Sequence, residues 1–251
     1  MSRLLQKIKS ITESSAPAVG FRTAATSTMT RGPLLAAVLA HPDARSAKAA
    51  VEAGADALLA QTSDAKAWED IVKAAAGAPC GPFLPGGDAD LKALEEAGCD
   101  FVSFSPSTAP ARWLRVEGLA RIARVPYGAE VSSLRGIDKV GIDAVVLENE
   151  GSADFLSVQQ LMNCHFLVAA LNRPLLAAIP ASASAEDVAA LWDAGVDGLV
   201  VAEGGLARLR ELHKIVTAMP PRSKKRAGKE TVLLPQMGQP AAPAEEEDDE
   251  E

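Results

Sequence analysis

The chain has 251 residues, with 25 Lys or Arg against 33 Asp or Glu and a formal net charge of −8. Seven of the acids form the unbroken run Glu245 to Glu251, and residues 220–244 carry five bases and one acid, so residues 1–219 hold 20 bases against 25 acids, only −5. A mildly acidic body matches nucleic acid poorly. Three scattered Cys without a CxxC pair argue against a disulfide framework or a thiolate zinc site, and no segment reaches the ~18–20 apolar residues of a membrane span. A cytoplasmic protein is the expectation.

Taken in chain order, residues 3–12 predict a short basic amphipathic helix with Leu4, Leu5, Ile8 and Ile11 on one side. Such a helix either touches a membrane surface or closes the N-terminal mouth of a barrel, and the second is the expected role. It belongs to a lead-in over residues 1–32. From residue 33 a repeat begins. Four segments share Gly-x-Asp followed by an apolar run, at Gly54-Ala55-Asp56, Gly98-Cys99-Asp100, Gly141-Ile142-Asp143 and Gly195-Val196-Asp197. Each reads as a helix closed by a left-handed glycine and then a strand. Between them lie four apolar runs opening on Pro33, Pro79, Pro126 and Pro174, at intervals of 46, 47 and 48 residues. Proline suits the first residue of a strand, where its missing N–H costs little. Two interleaved series of four predict eight strands alternating with helices, hence a parallel sheet. Fourfold repetition favours closure into a (β/α)₈ TIM barrel over an open doubly wound sheet, with the barrel spanning residues 33–219.

Asp43, Ser63, Asp88, Ser152 and Ser184 stand where helix N-caps are expected, with Ser184 to Asp187 approximating a capping box. The four Gly-x-Asp acids begin strands and are therefore placed on the bottom face, where a repeated residue reads as stability. Chemistry is sought at the C-terminal strand ends. Alternation along the strands assigns Leu58, Val102, Val145 and Leu199 to the helix-facing side, together with Val38, Leu84, Val131 and Ile179. The opposite parity carries Ala37, Phe83, Glu130 and Ala178, then Leu39, Pro85, Ser132 and Pro180, and in the even strands Gln61, Ser103, Ser105 and Glu148.

Two carboxylates thus fall inward on neighbouring strands, Glu130 on strand 5 and Glu148 on strand 6. Strands ~4.8 Å apart would couple them, either as an acid/base pair or as oxygen ligands for Mg²⁺. Asn149, Glu150 and Glu203 lie at or beyond strand ends nearby. The contrasting reading is that these acids rim a solvated mouth or pair with Arg. His41, just after strand 1, is a third candidate acid or base; His165 and His213 fall in helices. No Lys sits at a strand's C-terminal end, which argues against Schiff-base chemistry.

The stretch Pro174 to Gly205, with Ala194-Gly195-Val196-Asp197-Gly198-Leu199-Val200-Val201 at its centre, resembles the last two units of the phosphate-binding (β/α)₈ superfamily, which contains the histidine- and tryptophan-pathway barrels. The resemblance implies an anion site in the loops after strands 7 and 8. Here Ser182 and Ser184 would donate from hydroxyls where those barrels carry a Gly-Gly pair, and Gly204 and Gly205 would present backbone N–H groups. Arg45, Arg112 and Arg135 lie in or near other top loops, where they would supply cations or simply be exposed arginines at helix starts.

Beyond Pro220-Pro221 the sequence turns basic from Arg222 to Lys229. It then passes the apolar island Thr231-Val232-Leu233-Leu234-Pro235 and ends in acids. This composition cannot bury enough surface to fold alone, so residues 220–251 are expected to form a disordered tail, either simply solvated or partner-binding. Two functions follow. One is an isomerase or lyase acting on a small anionic metabolite, with a phosphate as one candidate anion. In it Glu130, Glu148 and His41 would be catalytic, and Gln61 and Ser105 would orient substrate. The other is a non-catalytic barrel serving as a scaffold through its tail and N-terminal helix. Either is compatible with a homo-oligomer.

Overall fold

The computed structural model describes residues 2–14, 32–130, 134–148, 155–180, 182–201, 205–220 and 222. Eight parallel strands close into a barrel in sequence order, β1 pairing with both β2 and β8. The strands are β1 (Leu34–Leu39), β2 (Ala57–Ala60), β3 (Cys80–Leu84), β4 (Phe101–Phe104), β5 (Ala120–Pro126), β6 (Ala144–Glu148), β7 (Leu175–Ile179) and β8 (Gly198–Val201). The helices are α1 (Arg3–Ser14), α2 (Ala44–Glu52), α3 (Ala65–Ala74), α4 (Leu91–Glu96), α5 (Val158–Ala170), α6 (Ala185–Ala194) and α7 (Gly205–Ala218), with a 3₁₀ turn at Ala111–Arg115 between β4 and β5. The (β/α)₈ architecture read from the repeat is the one observed. No helix among the described residues is long and apolar enough to cross a membrane.

The Gly-x-Asp repeat has a double physical basis. Gly54, Gly98, Gly141 and Gly195 all adopt positive φ, between +83° and +104°, so each lets the chain leave a helix or turn by a left-handed step that a Cβ would resist. The Asp two residues on then fastens the bottom of the sheet. Asp56 accepts from the Leu35 amide, Asp143 from the Arg121 amide and Asp197 from the Leu175 amide. Each clips an even strand to the odd strand before it. Asp100 does something else. It accepts from the Ser2 hydroxyl and from the amides of Arg3 and Leu4, capping α1 and holding it across the N-terminal mouth. Leu4, Ile8 and Ile11 are buried there, so α1 is the plug its amphipathic pattern predicts.

Three expectations need correction. Pro33, Pro79 and Pro174 do precede strands, but Pro126 ends β5 instead of opening it. The ladder explains why. β4 pairs Phe101 with Ala120 and Phe104 with Ala123, and β6 pairs Ala144 with Ile122 and Glu148 with Pro126. A proline is tolerated at that last rung because the next amide, that of Tyr127, makes the bond to the Glu148 carbonyl. The second correction concerns helix starts. α3 and α4 are capped by Asp64 and Asp90, one and two residues beyond Ser63 and Asp88. α5 is capped by Ser157 with Gln160 completing the box, while Ser152 lies outside the described residues. Asp43 and Ser184 cap α2 and α6 as expected.

The third is the orientation of β1. Paired residues in a parallel ladder share a face of the sheet, so one chain of partners can be followed around the barrel. Phe83, Ser103, Ile122, Ala144, Arg124, Val146, Glu148, Leu176, Ala178, Gly198, Val200, Ala36, Val38 and Leu59 lie on one face. Arg124 lies over the Phe83 ring although β4 separates their strands. Side chains two strands apart converge only inside a closed barrel, so this face is the interior. Val38 therefore points to the axis, and Ala37 and Leu39 face the helices. The even strands, β3 and β7 follow the predicted parity. The interior is packed by trading bulk for glycine: a Cβ on Gly198 would lie 3.2 Å from Leu176 and 3.3 Å from Leu34, and one on Gly81 would run into Phe101.

Candidate functional site

The described mouth of the barrel is mostly apolar. Val38, Leu59, Phe83, Val146, Ala178 and Val200 stand on its interior face near the C-terminal ends of their strands. Against this background one charged pair stands out. Arg124 on β5 bonds Glu148 on β6 through both Nε and Nη2, and its guanidinium lies on the Phe83 ring. The Arg124 side chain is 14% exposed and that of Glu148 is 32% exposed, so the pair sits at the boundary between core and solvent.

Its electrostatics follow from that position. Burial pulls the Arg124 pKa below its usual value, and the Glu148 charge acts the other way. The guanidinium still remains cationic, since arginine starts from so high a pKa. Nη1 of Arg124 is buried and has no hydrogen-bond partner among the described residues. A charged donor left in that state is costly. Ser103, fully buried beneath, donates to the Pro82 carbonyl. At the rim, the hydroxyls of Ser105 and Ser107 lie 2.8 Å apart.

The sequence-predicted residues are only partly brought together. Glu148 ends β6 on the interior face. Glu130 is not on a strand: with β5 ending at Pro126 it falls in the following loop, exposed. The inward dyad of Glu130 and Glu148 is therefore not formed on adjacent strands. Of the two tentative Mg²⁺ ligands, Glu148 already faces the Arg124 guanidinium and Glu130 lies in the loop after β5. The described residues hold no group of three or more His, Cys, Asp or Glu suited to a metal. His41 and Gln61 are exposed in the loops after β1 and β2, and Ser105 is half-buried after β4.

On the β7 side, the hydroxyl and amide of Ser184 are both engaged with Asp187 in the α6 capping box. Ser182 is exposed and Gly205 begins α7, while Ser132, Asn149, Glu150, Glu203 and Gly204 lie outside the described residues. Arg208, in the first turn of α7, donates to the Ala183 carbonyl and pairs with Glu211. Of the loop arginines, Arg112 pairs with Asp88, and Arg45 and Arg135 are exposed.

Arg124 is the site residue that sequence reasoning misses. The run Leu119-Ala120-Arg121-Ile122-Ala123-Arg124-Val125 is a strand diluted by two arginines, and the regular proline spacing draws attention past it. The signal that finds it is the alternation of Ala120, Ile122 and Arg124 against Arg121, Ala123 and Val125. Arg121 bonds Asp143 at the bottom of the barrel, and Arg124 reaches the top.

No protein-family model and no curated protein matches the sequence. Solved structures do. The chain superposes on a chain of Mycobacterium tuberculosis tryptophan synthase with a TM-score of 0.62 at 19% identity, covering 86% of this chain and 97% of that one. A ligand-free form of the same organism's enzyme gives 0.60 at 19% identity, over 87% and 98%. A mutant tryptophan synthase alpha-subunit from Pyrococcus furiosus gives 0.59 at 16% identity, over 74% and 97%. At these identities the likeness is one of fold, and the fold is the TIM barrel.

Proposed function

We propose that the protein is a small-molecule barrel enzyme of lyase or isomerase type, binding an anionic metabolite at the C-terminal mouth and moving a proton with Glu148. The observation that supports this is the Arg124–Glu148 pair, whose Nη1 has no partner among the described residues, in a barrel interior whose other described lining near the strand ends is mostly apolar. Arg124 is the anion anchor. A carboxylate or phosphate group of the substrate bonds to Nη1, in the charge-assisted geometry guanidinium groups favour. Glu148, held beside that guanidinium, takes a proton from a substrate C–H or O–H and returns it later in the cycle. The apolar walls strengthen both interactions by keeping the local dielectric low. Ser105 and Gln61 at the rim are placed to orient polar groups of the substrate, and a phosphate on its far end would meet Ser182 and the start of α7. A fold shared with tryptophan synthase chains is consistent with an enzyme and names no reaction.

A second reading, a non-catalytic barrel that binds a partner, is favoured by one observation: Glu148 already has a structural task as the counter-charge of Arg124. The two readings separate in D₂O. Incubation with a panel of small carboxylates and sugar phosphates, followed by proton NMR, is expected to show deuterium entering a carbon position, or bond cleavage, for one of them. Glu148→Gln is expected to abolish it. Turnover of none of the panel would leave the binding reading.

A further inference from the structure

We infer that the protein forms a two-fold symmetric homodimer through the exposed face of α5. Val158, Met162 and Phe166 are 75%, 47% and 56% exposed, and Phe155, just before the helix, is 65% exposed. These are four of the six large hydrophobics exposed among the described residues, the others being Val140 and Leu206. Residues 158, 162 and 166 recur every four positions, so they form one ridge along a helix face, about 12 Å from end to end at 1.5 Å per residue. The opposite face does the ordinary work of a barrel helix, burying Cys164 and Leu167.

The occupant is identified by charge, spacing and area. The α5 sequence, Val158 to Ala170, contains no Asp, Glu, Lys or Arg, whereas every other described α-helix carries at least one. Two copies of a chain of net charge −8 repel over most of their surfaces, and a charge-free ridge is where they can approach. The spacing is self-complementary as well. Met162 is equidistant from Val158 and Phe166, four residues to either side. Two antiparallel α5 helices related by a two-fold axis at Met162 therefore set Val158 of each against Phe166 of the other, and Met162 against Met162. This is the isologous pairing that closed dimers use, along the i, i+4 ridge that helices pack by, with an adaptable thioether at the centre. Taking ~200 Å² for a fully exposed large side chain, the four residues present roughly 500 Å² of apolar surface. That is about three-fifths of the ~800 Å² each partner contributes to a standard interface, leaving a polar rim that exposed Gln159 begins to supply.

The test is sedimentation velocity on the full chain from about 1 to 100 µM, with Met162→Glu as the variant. The wild type is expected to move from monomer to dimer across the range, and Met162→Glu to remain monomeric with unchanged circular dichroism and Tm. Met162→Cys supplies an independent readout. Cys80, Cys99 and Cys164 are all buried, so only the new thiol is available, and mild oxidation is expected to yield a covalent dimer. Lys92→Cys, at an exposed position on α4, is expected to yield none. A wild type that stays monomeric at 100 µM overturns the proposal, whether the ridge is bare or covered by another part of the chain. A dimer that survives Met162→Glu overturns it equally.

Discussion

Arg124 and Glu148 meet across the β5–β6 ladder, offset by two residue pairs: the backbone partner of Glu148 is Pro126, and that of Arg124 is Val146. The offset lets the long guanidinium reach along the strand and grip the carboxylate from below with Nε and Nη2, leaving Nη1 turned away. Removing the carboxylate while keeping its shape strands a half-buried cation. Glu148→Gln is expected to lower stability by about 1–3 kcal/mol, below the figure for a fully buried pair because both groups retain some solvent. Arg124→Met, which keeps the stem against Phe83, is expected to cost less. Urea unfolding of both single variants and the double variant should reveal a coupling energy; strict additivity would mean that the pair is not a unit in solution.

Asp100 differs from the other repeat acids in holding a helix instead of a strand. Asp100→Ala removes the acceptor for the Ser2 hydroxyl and for the amides of Arg3 and Leu4. It is expected to cost about 1–2 kcal/mol, the usual loss for an N-cap, and to loosen α1 selectively. Hydrogen exchange of residues 3–14 should accelerate while exchange in β7 and β8 stays as in the wild type.

Gly195 ends α6 at φ +104°, and a Cβ there would lie 2.6 Å from Cγ1 of Val168. Gly195→Ala therefore combines left-handed strain with a clash against α5. A loss of at least ~1 kcal/mol is expected, read as a lower Tm. An unchanged Tm would show that the α5–α6 contact yields freely.

Burial pushes the thiols of Cys80, Cys99 and Cys164 up to about 12 from an ordinary 9.0, and pushes the Tyr127 hydroxyl upward as well. These groups are raised in the folded state, so the unfolded chain loses its protons first as pH increases. Stability is therefore intact below about pH 9 and falls between about 9 and 12. The urea midpoint is expected to drop between pH 8 and pH 10.5. Cys164→Ala should flatten that drop, and a thiol reagent at pH 8 should label none of the three until the chain unfolds.

The fold was legible because its signals are local and repeated. A glycine that must take positive φ and an acid that must find an amide two residues later leave the same mark four times. The site was less legible because its position depends on where one strand stops. Pro126 marks a boundary, but proline serves equally at the first rung and the last. Reading it as the first rung shifts β5 by six residues, hides Arg124 and promotes Glu130. The place of Glu148 at the end of β6 is legible because β6 follows directly from Gly141-Ile142-Asp143. The inverted parity of β1 has a similar cause: Leu34 to Leu39 is apolar on both faces, so nothing in the sequence distinguishes the axis side from the helix side.

The Nη1 edge of Arg124, unpartnered among the described residues, is proposed to receive an anion. Thermal-shift titration with inorganic phosphate, small carboxylates and sugar phosphates tests it most directly, on the wild type and on Arg124→Met in parallel. At least one anion is expected to raise the wild-type Tm in a saturable manner and to leave Arg124→Met unmoved. A shift of equal size in Arg124→Met, or no shift with any of these anions, would mean that Arg124 anchors no anion.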